Sequence, residues 1–165
     1  MKNKETNLKS LFLYPLLKAF GCCLALVSSL AWANLTFENA HVRLLPPNVK
    51  NTAAFVSITN TGQEGICLVK AWGDKSQTVE FHDHIMQNDM MKMVHVPRVH
   101  IAAGETVTLQ SGSLHLMLLN LTEKLKLGDS VTFTLEDDTE KRYTFSATVE
   151  KVQSSVSHGH KHHHH

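Results

Sequence analysis

Val79-Glu80-Phe81-His82-Asp83-His84-Ile85 alternates in character residue by residue. In a strand, successive side chains point to opposite faces. Read that way, Phe81 and Ile85 face a core while His82 and His84 face away from it. The segment Leu114-His115-Leu116-Met117-Leu118 repeats the pattern, with three leucines on the core face and His115 and Met117 on the other. Two strands that both turn apolar residues inward and metal-ligating residues outward predict a β-protein with chemistry on its outer surface.

The rest of the chain extends this pattern. Short runs of high strand propensity occur at 36–42, 53–59, 66–71, 78–85, 91–96, 106–110, 114–121, 130–135 and 143–151. Turn signals lie between them, among them Asn60-Thr61-Gly62, Gly73-Asp74, Asn88-Asp89, Ala103-Gly104, Ser111-Gly112-Ser113 and Gly128-Asp129. So many short strands predict one all-β domain, a sandwich of antiparallel sheets, with no long helical period and no internal repeat.

The two ends differ from this middle. Lys2, Lys4 and Lys9 precede an apolar stretch from Leu11 to Leu30 that ends in Ala31-Trp32-Ala33. A positive start, an apolar run and a small-x-small site make an export signal. Residues 1–33 are therefore expected to be cleaved, leaving a binding domain at 34–152. The rival readings are an uncleaved anchor, for which the run is short and carries Lys18, and a lipid-modified Cys22 or Cys23, for which Ala19-Phe20-Gly21 is a poor lipobox. Residues 153–165 form a flexible tail containing His158, His160, His162, His163, His164 and His165. The histidines are interrupted and the export signal is intact, which favours a native metal-binding tail over an expression tag. Nothing after residue 33 is long and apolar enough for a spanning helix, so no stable membrane insertion is expected after cleavage.

The net charge of the whole chain is +1 and no basic face appears, which argues against nucleic acid as a partner. After cleavage Cys67 is the one remaining cysteine and cannot form an internal disulfide. It lies in Gly65-Ile66-Cys67-Leu68-Val69 and reads as a small buried hydrophobe rather than a ligand.

Chemistry concentrates between residues 82 and 117. His115 and Met117, about 7 Å apart along one strand face, can converge on one ion. Met91 and Met93 share a face of the segment between the two histidine strands. If these elements adjoin, His82, Met93, His115 and Met117 meet, with His84, Met86, Met90 and Met91 in reserve. Any one of these residues alone is ordinary, since methionine usually fills cores. Five methionines gathered around the histidines are not, because packing would spread them along the chain. Thioether sulfur is soft and suits Cu(I), whereas zinc sites use cysteine, histidine and carboxylate. In an oxidising compartment thioethers also escape the disulfide formation that paired thiols undergo.

These spacings carry a resemblance. His82 and Met93 are separated by ten residues, Met93 and His115 by twenty-one, and His115-Leu116-Met117 completes the pattern. The sequence resembles the periplasmic PCuAC-type copper chaperones, whose signature has this spacing. Ala53-Ala54-Phe55-Val56-Ser57-Ile58-Thr59-Asn60, Ala102-Ala103-Gly104-Glu105-Thr106-Val107 and Leu125-Lys126-Leu127-Gly128-Asp129 are also similar to family segments, so the likeness runs from about His41 to Lys151. It implies a cupredoxin-like β-sandwich, Cu(I) held by the four spaced residues, a periplasmic monomer, and delivery to a copper-accepting protein such as the CuA subunit of cytochrome c oxidase. His84 departs from the pattern as a second histidine beside the first. The tail imidazoles, from His158 through His163 and His164 to His165, suit Cu(II), as in family members with His-rich extensions.

Three other functions compete. An electron-transfer cupredoxin needs a cysteine thiolate beside two histidines, and the next histidine after Cys67 is His82. An enzyme needs an acid, base or nucleophile set at the metal; Glu80 and Asp83 are near in sequence, but no triad order or zincin motif is present, so no enzyme is expected. A sequestering protein would need the same ligands as a chaperone, and the residues leave storage and donation both open.

Overall fold

The structure, a computed structural model, describes residues 35–151 apart from Pro47. The chain separates into two units, Met1–Ala31 and Trp32–His165, and the described residues belong to the second. The expected export signal at 1–33 lies outside the described residues. So do the tail at 153–165 and its six expected Cu(II) ligands, His158, His160, His162, His163, His164 and His165.

Ten strands follow one another: β1 (Leu35–Arg43), β2 (Thr52–Asn60), β3 (Ile66–Gly73), β4 (Ser76–Gln87), β5 (Met90–His95), β6 (Val99–Ile101), β7 (Thr106–Leu109), β8 (His115–Leu121), β9 (Ser130–Asp137) and β10 (Arg142–Glu150). Nine correspond to the sequence expectation. The three-residue β6 was not foreseen, because Pro97 and Arg98 hide a run this short; it pairs with β3 through Ile66–Ile101 and Leu68–Val99.

Hydrogen-bonded neighbours run β4-β8-β2-β1-β10-β9-β3, and β3 returns to β4 through Ala71–Val79. The sandwich therefore closes on itself through this one pair and, among the described residues, leaves edges only at the short strands β5, β6 and β7. β5 hangs on the outer edge of β4, β6 on β3, and β7 continues the edge of β2 that β8 begins. The all-β sandwich is as expected, with one difference: β1 and β10 pair in parallel, so the sheets are not wholly antiparallel.

Alternation explains the core. β10 buries Tyr143, Phe145, Ala147 and Val149 and exposes every residue between them. Leu116, Leu118, Val131, Phe133, Leu135 and Val149 are fully buried. Phe37, Phe145 and Phe133 stack with centroids 4.5 and 5.2 Å apart, a contact beyond simple area burial. At the β9–β10 turn, Asp137 accepts bonds from Thr139 N and Oγ1, Lys141 N and the Tyr143 hydroxyl. This satisfies a carboxylate that is otherwise buried.

Two expectations about individual side chains need correction. Cys67 is half-buried, not core, since Ile66 and Leu68 take the inward positions of β3 and leave it on the outer face. Ile85 is 41% exposed although Phe81 is buried. The reason is reach: β8 pairs with β4 only from Ser76 to His82, so beyond that point β4 has β5 alone beside it and no core beneath.

Candidate metal centre on the outer face of β4, β5 and β8

The register of the β4–β5 hairpin is set by its two-residue turn. Asn88 and Asp89 both have positive φ, 51° and 58°, as a type I′ turn requires. That turn makes Gln87 and Met90 partners, and the ladder then matches Met86 with Met91, His84 with Met93 and His82 with His95. On the other edge of β4, His82 faces His115 and Glu80 faces Met117. Directly opposed residues share a face. The outer face is thus a grid of rows. One holds Glu80 and Met117. The next holds His95, His82 and His115. A third holds Met93 and His84, and a fourth Met91 and Met86. Met90 points the other way, with Ile85 and Gln87.

Of the residues expected from spacing, His115, Met93 and Met117 line one cavity of about 320 Å³, and His84 lines it with them. Ala53, Phe55 and Arg43 complete its floor and wall. His82 does not line the cavity but packs beside it, its ring 6.2 Å from that of His115; His84 stacks on His115 at 5.3 Å. His95 joins from β5, 5.9 Å from His82. Met86, Met90 and Met91 lie toward the hairpin tip and are all exposed.

The imidazoles are held in particular tautomers. His115 is buried, and its Nδ1 bonds the Ser113 carbonyl at 2.7 Å. A carbonyl only accepts, so Nδ1 carries the proton and the lone pair sits on Nε2. Burial pushes the His115 pKa below 6.5, the Ser113 bond opposes this, and the neighbouring His84 and His82 add to the lowering. The ring is therefore neutral at neutral pH, the form that binds metals. His82 presents the mirror arrangement. Its Nε2 meets Glu80 Oε2 at 2.8 Å, so Nε2–H donates to the carboxylate, and in the neutral form of the ring the lone pair falls on Nδ1. Both His82 Nδ1 and His84 Nδ1 are buried and have no hydrogen-bond partner. A buried polar atom left unpaired costs about 1–3 kcal/mol, so two of them on the same face of β4, both on rings that pack against His115, mark a place where an external partner would be stabilised.

The donor set decides which partner. Among the described residues no three His, Cys, Asp or Glu side chains are placed to hold a metal by themselves. Thioether sulfurs lie beside these nitrogen donors, since Met93 and Met117 line the same cavity as His84 and His115.

The sequence reading missed Arg43, Phe55, His41 and His95 around the site. Arg43 lies over the Phe55 ring at 5.3 Å and donates to Ser111 Oγ at 2.8 Å. His41 packs against Phe55 at 5.2 Å. Phe55 points outward from β2, yet it is buried beneath these groups and His115. His95 was legible in principle, two residues beyond Met93 on one strand; the others come from β1 and β2, which only topology brings alongside.

The chain is similar to several known proteins. The model of the family described as "Putative lipoprotein LpqE-like" matches residues 35–149. The structure of apo-DR1885 from Deinococcus radiodurans is similar with 31% identity and a TM-score of 0.57, over 73% of this chain and 81% of that one. Its CuI-bound structure aligns at 31% identity and a TM-score of 0.55, over 76% of this chain and 83% of that one. The copper-bound PCuAC domain from PmoF2 shares the fold at 16% identity and a TM-score of 0.60, over 73% of this chain and 97% of that one. An uncharacterized Rickettsia prowazekii protein is 32% identical over 96 residues, 56% of this chain and 53% of its own length. A Leifsonia xyli protein whose name calls it a lipoprotein is 31% identical over 85 residues, 51% of each chain. The chain spans about half the length of these curated relatives.

Proposed function

The chain belongs to the LpqE-like family, and from that membership together with the donors on its outer face we propose that it is an exported carrier of Cu(I). The ion is cargo. His82 Nδ1, His115 Nε2, Met93 and Met117 hold it, and His84 supplies a further imidazole at the same cavity. The observation that carries this reading is the gathering of His84, His115, Met93 and Met117 around one cavity, with His82 packed against His115 and the Nδ1 atoms of His82 and His84 buried and unpartnered. The Cu(I)-bound state of a relative 31% identical supports the choice of ion.

The chemistry follows from the ligands. Thioether and neutral imidazole carry no charge, so they match a soft monovalent ion and leave it exchangeable. Glu80 orients His82 and raises the basicity of the nitrogen that binds. No thiolate reaches the site, and among the described residues Cys67 on β3 is the one cysteine, which separates this centre from a blue-copper electron carrier. The protein is a carrier and not an enzyme in this reading.

Delivery rather than storage fits the exposure of Met93, 46% accessible at the rim, since an accepting ligand can attack the ion there. The acceptor we propose is a copper site such as CuA of cytochrome c oxidase. Residues 1–33 serve as the export signal to the periplasm. Residues 153–165 serve as a loose Cu(II)-binding tail, with His158, His160, His162, His163, His164 and His165 as its donors. Among the described residues no helix is long and apolar enough to cross a membrane.

The test is Met117→Leu. The swap conserves volume, and such changes cost under about 1.5 kcal/mol of stability. Cu(I) affinity, measured by anaerobic competition with a chromophoric chelator, is expected to fall. Unchanged affinity in a folded variant refutes the assignment.

A further inference from the structure

The β4–β5 hairpin presents more thioether than the cavity uses. Apart from Met1 the chain has five methionines, Met86, Met90, Met91, Met93 and Met117. None of them is among the buried core residues, although core filling is the usual role of this side chain. Met86 is 66% exposed and Met91 64%, more than Met93 at the cavity rim. Packing within this domain therefore does not account for them.

Register gives them a relation. Met86 and Met91 are directly opposed, and the Cβ atoms of such a pair are about 4.5–5.5 Å apart. Two flexible thioethers at that separation can close on one ion. The pair shares its face with the His84–Met93 row, two residues further in, and then with the His82–His115 row. Successive rows on one strand face are about 7 Å apart. The segment from Asp83 to Gln87 pairs only with β5, so the tip projects past the start of β8.

We infer that Met86 and Met91 form a second, weaker Cu(I) site at the hairpin tip, through which the ion enters and leaves the cavity below. This rests on the copper reading above and adds a route to it. Two thioethers without an imidazole hold the ion less tightly than the mixed set, as an entry point should. They select Cu(I) over divalent ions, because neutral sulfur offers no charge to offset the hydration those ions lose. Movement inward is ligand exchange: a new bond to Met93 or His84 forms as a bond to Met86 or Met91 breaks. The ion stays Cu(I), no electron moves, and the neutral donors release no proton.

The experiment uses the full chain labelled with ¹³C at the methionine methyls. Cu(I) is added anaerobically as its acetonitrile complex and each methyl is followed by NMR. The Met93 and Met117 signals are expected to shift first, and the Met86 and Met91 signals to shift together at higher Cu(I), with Met90 unmoved. A Met86→Leu, Met91→Leu double variant changes only exposed side chains. Its equilibrium affinity at the cavity is expected to equal that of the unaltered chain, while Cu(I) loading from a chelator complex slows several-fold. Met86 and Met91 methyls that ignore Cu(I), or a double variant that loads at the original rate, overturn the inference. If Met93 and Met117 also fail to respond, the copper reading itself falls; if they respond and only the tip does not, the entry site alone is lost.

Discussion

Glu80 offers the sharpest probe of the proposed site, because it touches His82, one of the proposed ligands, without being a ligand itself. Its Oε2 accepts from His82 Nε2 at 2.8 Å, with side-chain exposures of 35% for Glu80 and 16% for His82. A single hydrogen bond of this kind, with its acceptor partly open to water, is worth little to the fold, about 0.5–1.5 kcal/mol. Glu80→Ala is therefore expected to leave the urea midpoint close to that of the unaltered protein. Its effect on metal is larger. Losing the partner that fixes a ligating histidine costs about 10–100-fold in affinity, or about 1.4–2.7 kcal/mol. Glu80 is a third exposed, so water takes over part of its role and the lower end applies. Glu80→Gln keeps an acceptor for Nε2–H but removes the charge, and should fall between the two. Affinities come from Cu(I) competition with a chelator at neutral pH, and the fold is checked by circular dichroism. If both variants bind Cu(I) as tightly as the original, the tautomer argument for His82 Nδ1 is wrong.

Two further outcomes follow from other parts of the molecule. Asp137 is buried; that burial alone would raise its pKa, but bonds from Thr139, Tyr143 and Lys141 outweigh it and bring the value below 3.8. Glu136 is likewise lowered by Lys70 and Arg142. A depressed carboxylate stabilises the fold above its unfolded pKa and loses that contribution as pH falls through the folded value. Acid unfolding should thus set in below about pH 4, and Asp137→Asn should flatten the pH dependence while costing about 1–3 kcal/mol at neutral pH, both read from denaturant melts across pH. Deleting Ser157 to His165 should leave Cu(I) affinity intact and abolish most Cu(II) uptake, with release from the intact tail as pH falls through about 6.5; equal Cu(II) uptake after deletion would make the folded domain the Cu(II) acceptor.

Much of the fold was legible because period-two alternation is a local property. Residues 143–151 announce a strand without reference to anything else, and the structure forms it at Arg142–Glu150, with Tyr143, Phe145, Ala147 and Val149 buried on one face. The Asn88-Asp89 turn was visible as punctuation, and its two-residue length is what matches His84 with Met93. Ile85 shows the limit. Alternation assigns it to the core face, but a face is a core only where other strands cover it, and β8 stops pairing at His82. Cys67 shows the same limit from the other side: an apolar run reads as buried, while the inward positions belong to its neighbours.

The proposed ligands could be picked out from the chain alone, because ligand softness is a property of side chains and spacing along a strand fixes which share a face. How these residues meet depends on strand pairing across the whole domain. Closing the sheet sets β8 on one edge of β4 and β5 on the other, which puts His115 opposite His82 and Met93 opposite His84. It also brought Arg43 and Phe55 under the cavity from strands far away in the chain. Burial, tautomer and the unpaired nitrogens depend on these neighbours, and strand pairing across long loops is set by the packing of the whole core rather than by any local run of residues.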